Sequence, residues 1–171
     1  MPDPIVVVEY DCEWPIVFES LRAKLAGALG DIAASIEHVG STAVPNLAAK
    51  PTIDINVILP SSDHLPEAIR RLATIGYVHE GDLGVTGRHA FAVPPGYAPH
   101  HHHLYVGAPG NRAMLEHVVF RDHLRNHPEV AQAYGELKRA LAQRFRNDRN
   151  GYTNAKAEFV NAVLRHAHRS V

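Results

Sequence analysis

Gly40, Ser41, Asp54, Asn56 and His103 are the residues whose types and spacing can do chemistry in this chain. Gly40 and Ser41 directly follow the β-branched run from Ile32 to Val39, which reads as a strand. A glycine at a strand end lets backbone approach a ligand without an intervening Cβ, and successive turn amides with the Ser41 hydroxyl can cradle an anion. The next strand-like run, Thr52 to Leu59, alternates. Thr52, Asp54 and Asn56 take one face, and Ile53, Ile55 and Val57 the other. An acid and an amide one strand repeat apart suit oxygen coordination of Mg²⁺ shared with the phosphates of a nucleotide.

Histidine supplies the second kind of chemistry. The tract His100 to His103 is internal and runs into Leu104-Tyr105-Val106, so strand alternation sends His101, His103 and Tyr105 one way and His102, Leu104 and Val106 the other. A neutral imidazole in the first set can ligate a metal; a protonated one can meet phosphate. Arg88 opens a strand and offers a guanidinium fork for a triphosphate. Tyr152 and Lys156 are spaced to share a helix face, for stacking and phosphate contact or for docking the helix, whereas Lys50, before Pro51, could meet a phosphate but reads rather as solvated. Glu37 and His38 lie on opposite sides of their strand, and a structural salt bridge is the expectation there. Arg121, Asp122 and Arg125 read as a surface charge network.

The elements that must position these residues follow from period and punctuation. Helices are expected from Trp14 to Leu29 and from Asp63 to Ile75, the second capped by Ser62 and stopped by Gly76. Strands follow at Tyr77 to Glu80, His89 to Pro94 and His101 to Gly107, the last two forming a hairpin with a Pro-rich tip containing Pro94, Pro95, Gly96 and Pro99. The last third turns helical. Asn111 caps a helix to Arg125, Pro128 opens one to Phe145, and Thr153 caps a third ending near Ala167. The expected fold class is α/β (α+β-like), a mixed β-sheet with a C-terminal helical layer, in one domain spanning residues 1–171.

Composition narrows the partners. With 46% apolar residues the chain is not disordered, and a formal net charge of -1 gives no electrostatic grip on a nucleic-acid backbone, so a small molecule is the expected partner. Cys12 is the single cysteine, which excludes an intrachain disulfide or thiolate zinc site. The opening MPDPIVVVEY resembles neither a signal peptide nor a membrane span, so a cytoplasmic location away from membranes is expected. There is no Gly-x-Ser-x-Gly elbow, nor a Walker lysine after the Gly-Ser turn, which argues against nucleophile-triad and P-loop chemistry.

Gly-Ser, a short helical segment and an acid on the following strand together resemble the signature of the polymerase-β-like nucleotidyltransferase superfamily. More narrowly, EHVGSTAVPNLAAKP followed by Asp54 is similar to the GrpB family of predicted nucleotidyltransferases, and the likeness extends to His103-Leu104-Tyr105-Val106, the run from Phe120 to Ala142, Tyr152 and Lys156. The resemblance implies a nucleoside triphosphate bound with Mg²⁺ and a nucleotidyl group passed to an unknown small acceptor. Gly40 and Ser41 would hold phosphates, Asp54 the metal, Asn56 a weaker ligand or water, and His103 a phosphate or second metal contact. Ser41, Asp54 and His103 should then converge on one cleft. Two departures stand out: Asn56 replaces the second acid of Asp-x-Asp, and His103-Leu104-Tyr105 replaces His-x-His. The alternative is a non-catalytic nucleotide-binding or partner-stabilising module, related to domains fused to dephospho-coenzyme A kinase.

Overall fold

The computed structural model describes residues 3–96 and 101–169. His100 and Pro99, of the histidine tract and the hairpin tip, lie outside the described residues. Helix α1 (Trp14–Leu29) opens with Pro15 in its first turn and buries Trp14, Phe18, Leu21, Leu25 and Leu29. A 3-10 turn at Gly30–Ile32 comes next, so β1 (Ser35–Val39) begins later than the β-branched run suggests. Ile32 is buried within the turn itself. Strand β2 (Thr52–Ile58) leads through a further 3-10 turn, Ser62–His64, into α2 (Leu65–Ala73). Ser62 therefore lies inside a turn rather than capping the helix; Ser61 Oγ pairs with His64 Nδ1 there at 3.0 Å. Gly76, at φ 91°, turns the chain after α2 ends. Strands β3 (Val78–Gly81), β4 (His89–Ala92) and β5 (His101–Gly107) precede α3 (Arg112–Asn126), α4 (Pro128–Arg144) and α5 (Arg149–Arg169).

Asn111 caps α3 as expected, its side chain accepting from the Met114 amide at 3.1 Å. Helix α5 starts before Thr153, which is an interior residue. At its start the Asp148 carboxylate accepts from the Gly151 amide at 2.9 Å and satisfies one of the end's otherwise unpaired donors.

The sheet has five strands in the order β1-β2-β5-β4-β3. Pairing is antiparallel throughout except between β2 and β5, which run parallel. The mixed sheet is therefore as expected. Ile53, Ile55 and Val57 are fully buried in a cluster with Leu21, Leu25 and Leu29 of α1 and Leu72 of α2. Each such side chain contributes about 1.5–3 kcal/mol by leaving water. The opposite face of β2 and β5 carries the polar set, with Asp54 paired in register with His103 and Asn56 with Tyr105.

Helices α3, α4 and α5 contact one another, and α3 also meets β1. Val44, Leu47, Leu124, Ala131 and Tyr134 form the core of this layer, and Tyr134 stacks on Phe159 at 5.0 Å. Arg121 departs from the expected surface network. It is only 9% exposed and donates to Glu37 Oε2 at 2.8 Å and to the His38 carbonyl at 2.9 Å, pinning α3 to β1. The Glu37 salt bridge expected from sequence is this one. No helix among the described residues is long and apolar enough to cross a membrane.

Candidate functional site

The turn after β1 is built around the Asp54 carboxylate. Gly40 adopts φ 74°, ψ -176°, a conformation essentially reserved for glycine, and a Cβ placed there would collide with Asp54 Oδ2. The chain then makes one 3-10 turn, Ser41–Ala43. Thr42 fastens that turn to β2 by donating to the Thr52 carbonyl at 3.0 Å, while its oxygen also pairs with His38 Nε2 at 3.0 Å. His38 stacks on Phe18 of α1, and burial pushes its pKa down to about 4, so it is a neutral structural group. Glu37 and His38 are thus both committed to holding β1 in place.

Ser41, Asp54 and His103 meet in one cleft. It is a cavity of about 200 Å³ also lined by Lys50, Lys138, Tyr152 and Lys156. His103 Nδ1 lies 2.8 Å from Asp54 Oδ1, a contact set directly by the β2–β5 register. His101 stands edge-on to His103 at 5.6 Å, whereas His102 is buried on the apolar face against the Tyr77 hydroxyl at 2.8 Å, as alternation requires.

Three amines share this cleft with one carboxylate. Lys138 is 2% exposed and donates to Ser41 Oγ at 2.8 Å. Burial first, then repulsion from Lys156, Arg139 and Lys50, pushes its pKa down to about 7, with Asp54 opposing. Lys156 is lowered to about 8 by burial and by Lys50, and sits 4.4 Å above the Tyr152 ring. Lys50 is lowered too, chiefly by burial and then by Arg149; it lies 5.6 Å from the same ring. Expected to be solvated, Lys50 instead lines the cleft. Tyr152 is 1% exposed in a cluster with Ile5, Leu141 and Ala142, so it docks the helix and offers its ring to the two lysines. Partly neutralised amines held close together can receive a multiply charged anion, which would restore their protons and screen their repulsion.

Two sequence candidates fall outside this cleft. Asn56, on the same strand face as Asp54, is sealed under α3, its amide 3.4 Å from the Met114 carbonyl and 3.2 Å from His117 Nδ1. It is therefore not available as a ligand beside Asp54. Arg88 lies 4.3 Å over the Tyr105 ring and is not among the residues lining the cleft.

The described residues contain no group of three or more His, Cys, Asp or Glu able to hold a metal ion. The donor set fits Mg²⁺ only when the ion's remaining ligands come from phosphate and water, with Asp54 as the protein's carboxylate. His103, a nitrogen donor engaged by Asp54, fits it poorly.

Sequence reasoning missed Lys138. Its signal was a lysine on the core-facing side of α4, one turn after Tyr134 and just before Leu141 and Ala142. It missed His117 as well, which no spacing pattern marks.

The comparisons with known proteins agree with this architecture. The family model described as "GrpB protein" matches residues 4–166, and the chain belongs to the GrpB family. It is 41% identical to a UPF0157 protein of Pseudomonas aeruginosa over 95% of this chain and 67% of that protein. To the UPF0157 protein YqkA of Bacillus subtilis it is 32% identical over 96% of this chain, and it spans only 48% of that relative's length. The crystal structure of the conserved protein GrpB from Enterococcus faecalis superposes with a TM-score of 0.86 at 32% identity, covering 96% of this chain and 98% of that one. Likeness to a Cid1 poly(U) polymerase structure is far looser, with a TM-score of 0.45 at 13% identity over 78% of this chain and 45% of that one. A protein named dephospho-CoA kinase from Mycolicibacterium paratuberculosis is 28% identical over 96% of this chain, which spans 46% of that protein.

Proposed function

We propose that the chain binds a nucleoside triphosphate in the lysine-lined cleft and transfers its nucleotidyl group to a small acceptor. The observation that carries this reading is the convergence of Lys50, Lys138 and Lys156 on Ser41 and Asp54. Ser41 and the turn amides after Gly40 hold phosphate oxygens. Lys138 and Lys156 gain protons from the anion's field and neutralise the charge that builds on departing pyrophosphate. Lys50 closes the cationic rim. Mg²⁺ arriving with the triphosphate would supply charge neutralisation at the phosphates, with Asp54 as its carboxylate ligand and His103 fixing that carboxylate's orientation.

The second reading is a nucleotide-binding module without catalysis, stabilising a partner. The sealing of Asn56 favours it, because two-metal chemistry has no second acid to use here.

Thermal shift with a nucleoside triphosphate and Mg²⁺ tests the binding claim. A ligand that binds only the folded state raises its melting temperature. The wild type should shift. Asp54→Asn should keep its fold and lose the Mg²⁺-dependent part of the shift, and Lys138→Met should lose most of the shift with or without metal. No shift in the wild type would sink both readings; a shift without pyrophosphate release in any acceptor mixture leaves the second.

A further inference from the structure

At the β3 edge of the sheet two imidazoles bring ring nitrogens together. His79 of β3 and His89 of β4 approach to 3.0 Å between Nε2 and Nδ1, with ring centroids 5.1 Å apart. We propose that this pair is a chelating site for a divalent transition ion of tetragonal preference, Cu²⁺ or Ni²⁺, which clamps β3 to β4. The site shares no residue with the lysine cleft and does not depend on the nucleotide reading above.

The strand pairing builds the pair. His79 sits opposite Phe91, and His89, two residues before Phe91, points to the same face of the sheet. Diagonal neighbours of this kind lie within reach of long side chains. The ladder then shifts, because Gly81 rather than Glu80 sits opposite Ala90. Gly81 supplies the positive φ, 80°, at this bulge, and the extra residue increases the local twist of β3. The Phe91 ring, 5.2 Å from that of His79, flanks the pair on its inner side.

Without metal, one of the two facing nitrogens carries a proton and the other accepts it, since two bare lone pairs would repel. The tautomer shift of a neutral imidazole moves that proton to the other nitrogen of the same ring and leaves two lone pairs directed into one space. Burial, and then His79, lower the pKa of His89, with Asp82 opposing, so this ring is neutral and able to ligate. The Asp82 carboxylate, which accepts from the Gly84 amide at 3.1 Å, acts on His89 through its charge and favours a cation there in the same way.

The spacing of the nitrogens selects the ion. With metal–nitrogen bonds of about 2.0–2.1 Å, nitrogens 3.0 Å apart subtend about 95° at the metal. That angle belongs to tetragonal or square-planar coordination, which Cu²⁺ and Ni²⁺ favour, and not to the tetrahedron that Zn²⁺ prefers. No three His, Cys, Asp or Glu side chains among the described residues form a set, so water completes the coordination. Mg²⁺ takes oxygen donors and is not held by such a pair.

The test titrates the full chain with Cu²⁺, reading stoichiometry by isothermal calorimetry and ligand type by electron paramagnetic resonance. His79→Gln and His89→Gln should each lose one and the same equivalent, the double variant should lose no further one, and the lost species should show nitrogen superhyperfine splitting. Other histidines define the background: His101→Gln and His123→Gln should keep that equivalent. On the wild type alone, Cu²⁺ should broaden the amide NMR signals of His79 and Asp82, and Mg²⁺ should not. A single variant with the full wild-type stoichiometry, or losses that add in the double variant, overturns the site. So do His79 and Asp82 signals that stay sharp at saturating Cu²⁺, a result that holds even where a variant fails to fold. Zn²⁺ that displaces Ni²⁺ from the pair at equal concentration overturns the choice of ion.

Discussion

The two faces of the sheet use the same strands for opposite ends. On one, Ile53, Ile55, Val57, Leu104 and Val106 are at most 1% exposed and closed over by α1 and α2. On the other, Asn56 is sealed under α3, while Asp54 and His103 face a cleft into which α4 and α5 bring Lys138 and Lys156 instead of filling the space. The apolar face contributes free energy of folding through burial. The polar face holds groups at a cost, since Lys138 and Lys156 are kept where a proton is disfavoured. The proposed function rests on this difference: interactions left unsatisfied in the free protein are those a ligand can complete.

The largest effect should come from cutting into the apolar face. Ile55→Ala leaves a cavity among fully buried neighbours and should cost about 2–5 kcal/mol in denaturant unfolding. The folded fraction should still bind triphosphate with wild-type affinity. Loss of binding in that fraction would show that the faces are not independent.

Gly40→Ala should act on the other face alone. Its φ of 74° strains any other residue, at about 1–3 kcal/mol, and the added Cβ displaces the Asp54 carboxylate. Stability should drop by roughly that amount, and isothermal titration should find triphosphate binding lost.

Lys138→Met separates cost from use. The unfolded chain binds a proton at this lysine below its ordinary pKa of 10.5, while the folded chain does so only below about 7. Between those limits the unfolded state holds more protons, so this lysine makes wild-type stability rise with pH. Lys138→Met should flatten that rise in urea titrations, be more stable than wild type near neutrality, and bind triphosphate more weakly.

A smaller effect is expected at His38, the titrating group that faces α1. Its folded pKa of about 4 lies below the ordinary 6.5, so the unfolded state gains its proton first and stability falls as pH drops through that window. His38→Phe should remove this component of acid sensitivity without altering triphosphate affinity. An unchanged acid profile would mean that other groups govern it.

What could be read from the sequence was what the backbone determines locally. Gly40-Ser41 at a strand end, alternation through Asp54 and Asn56, and the opposite placement of His102 and His103 need only strand period and turn chemistry, and the structure has them as expected. What could not be read depends on how α3 to α5 dock. Lys138 reaches Ser41 across 97 positions of sequence, and His117 reaches Asn56 across 61. Neither pairing leaves a periodic trace. The same docking explains Arg121, whose spacing to Asp122 and Arg125 suits a surface network until β1 is packed against it. Thr153 was a reasonable cap by residue type, but Asp148 lies upstream and starts the helix first.

The central claim, that the amines of the cleft are held short of protons until a triphosphate arrives, is tested most directly by calorimetric titration of a nucleoside triphosphate at about pH 8 in buffers of different ionisation enthalpy. Binding should take up protons, seen as a heat that varies with the buffer, because Lys138 and Lys156 titrate near 7 and 8 in the free protein. The uptake should fall in Lys138→Met and Lys156→Met. A triphosphate that binds with no buffer-dependent heat, or binds the double variant as tightly as wild type, would contradict the account.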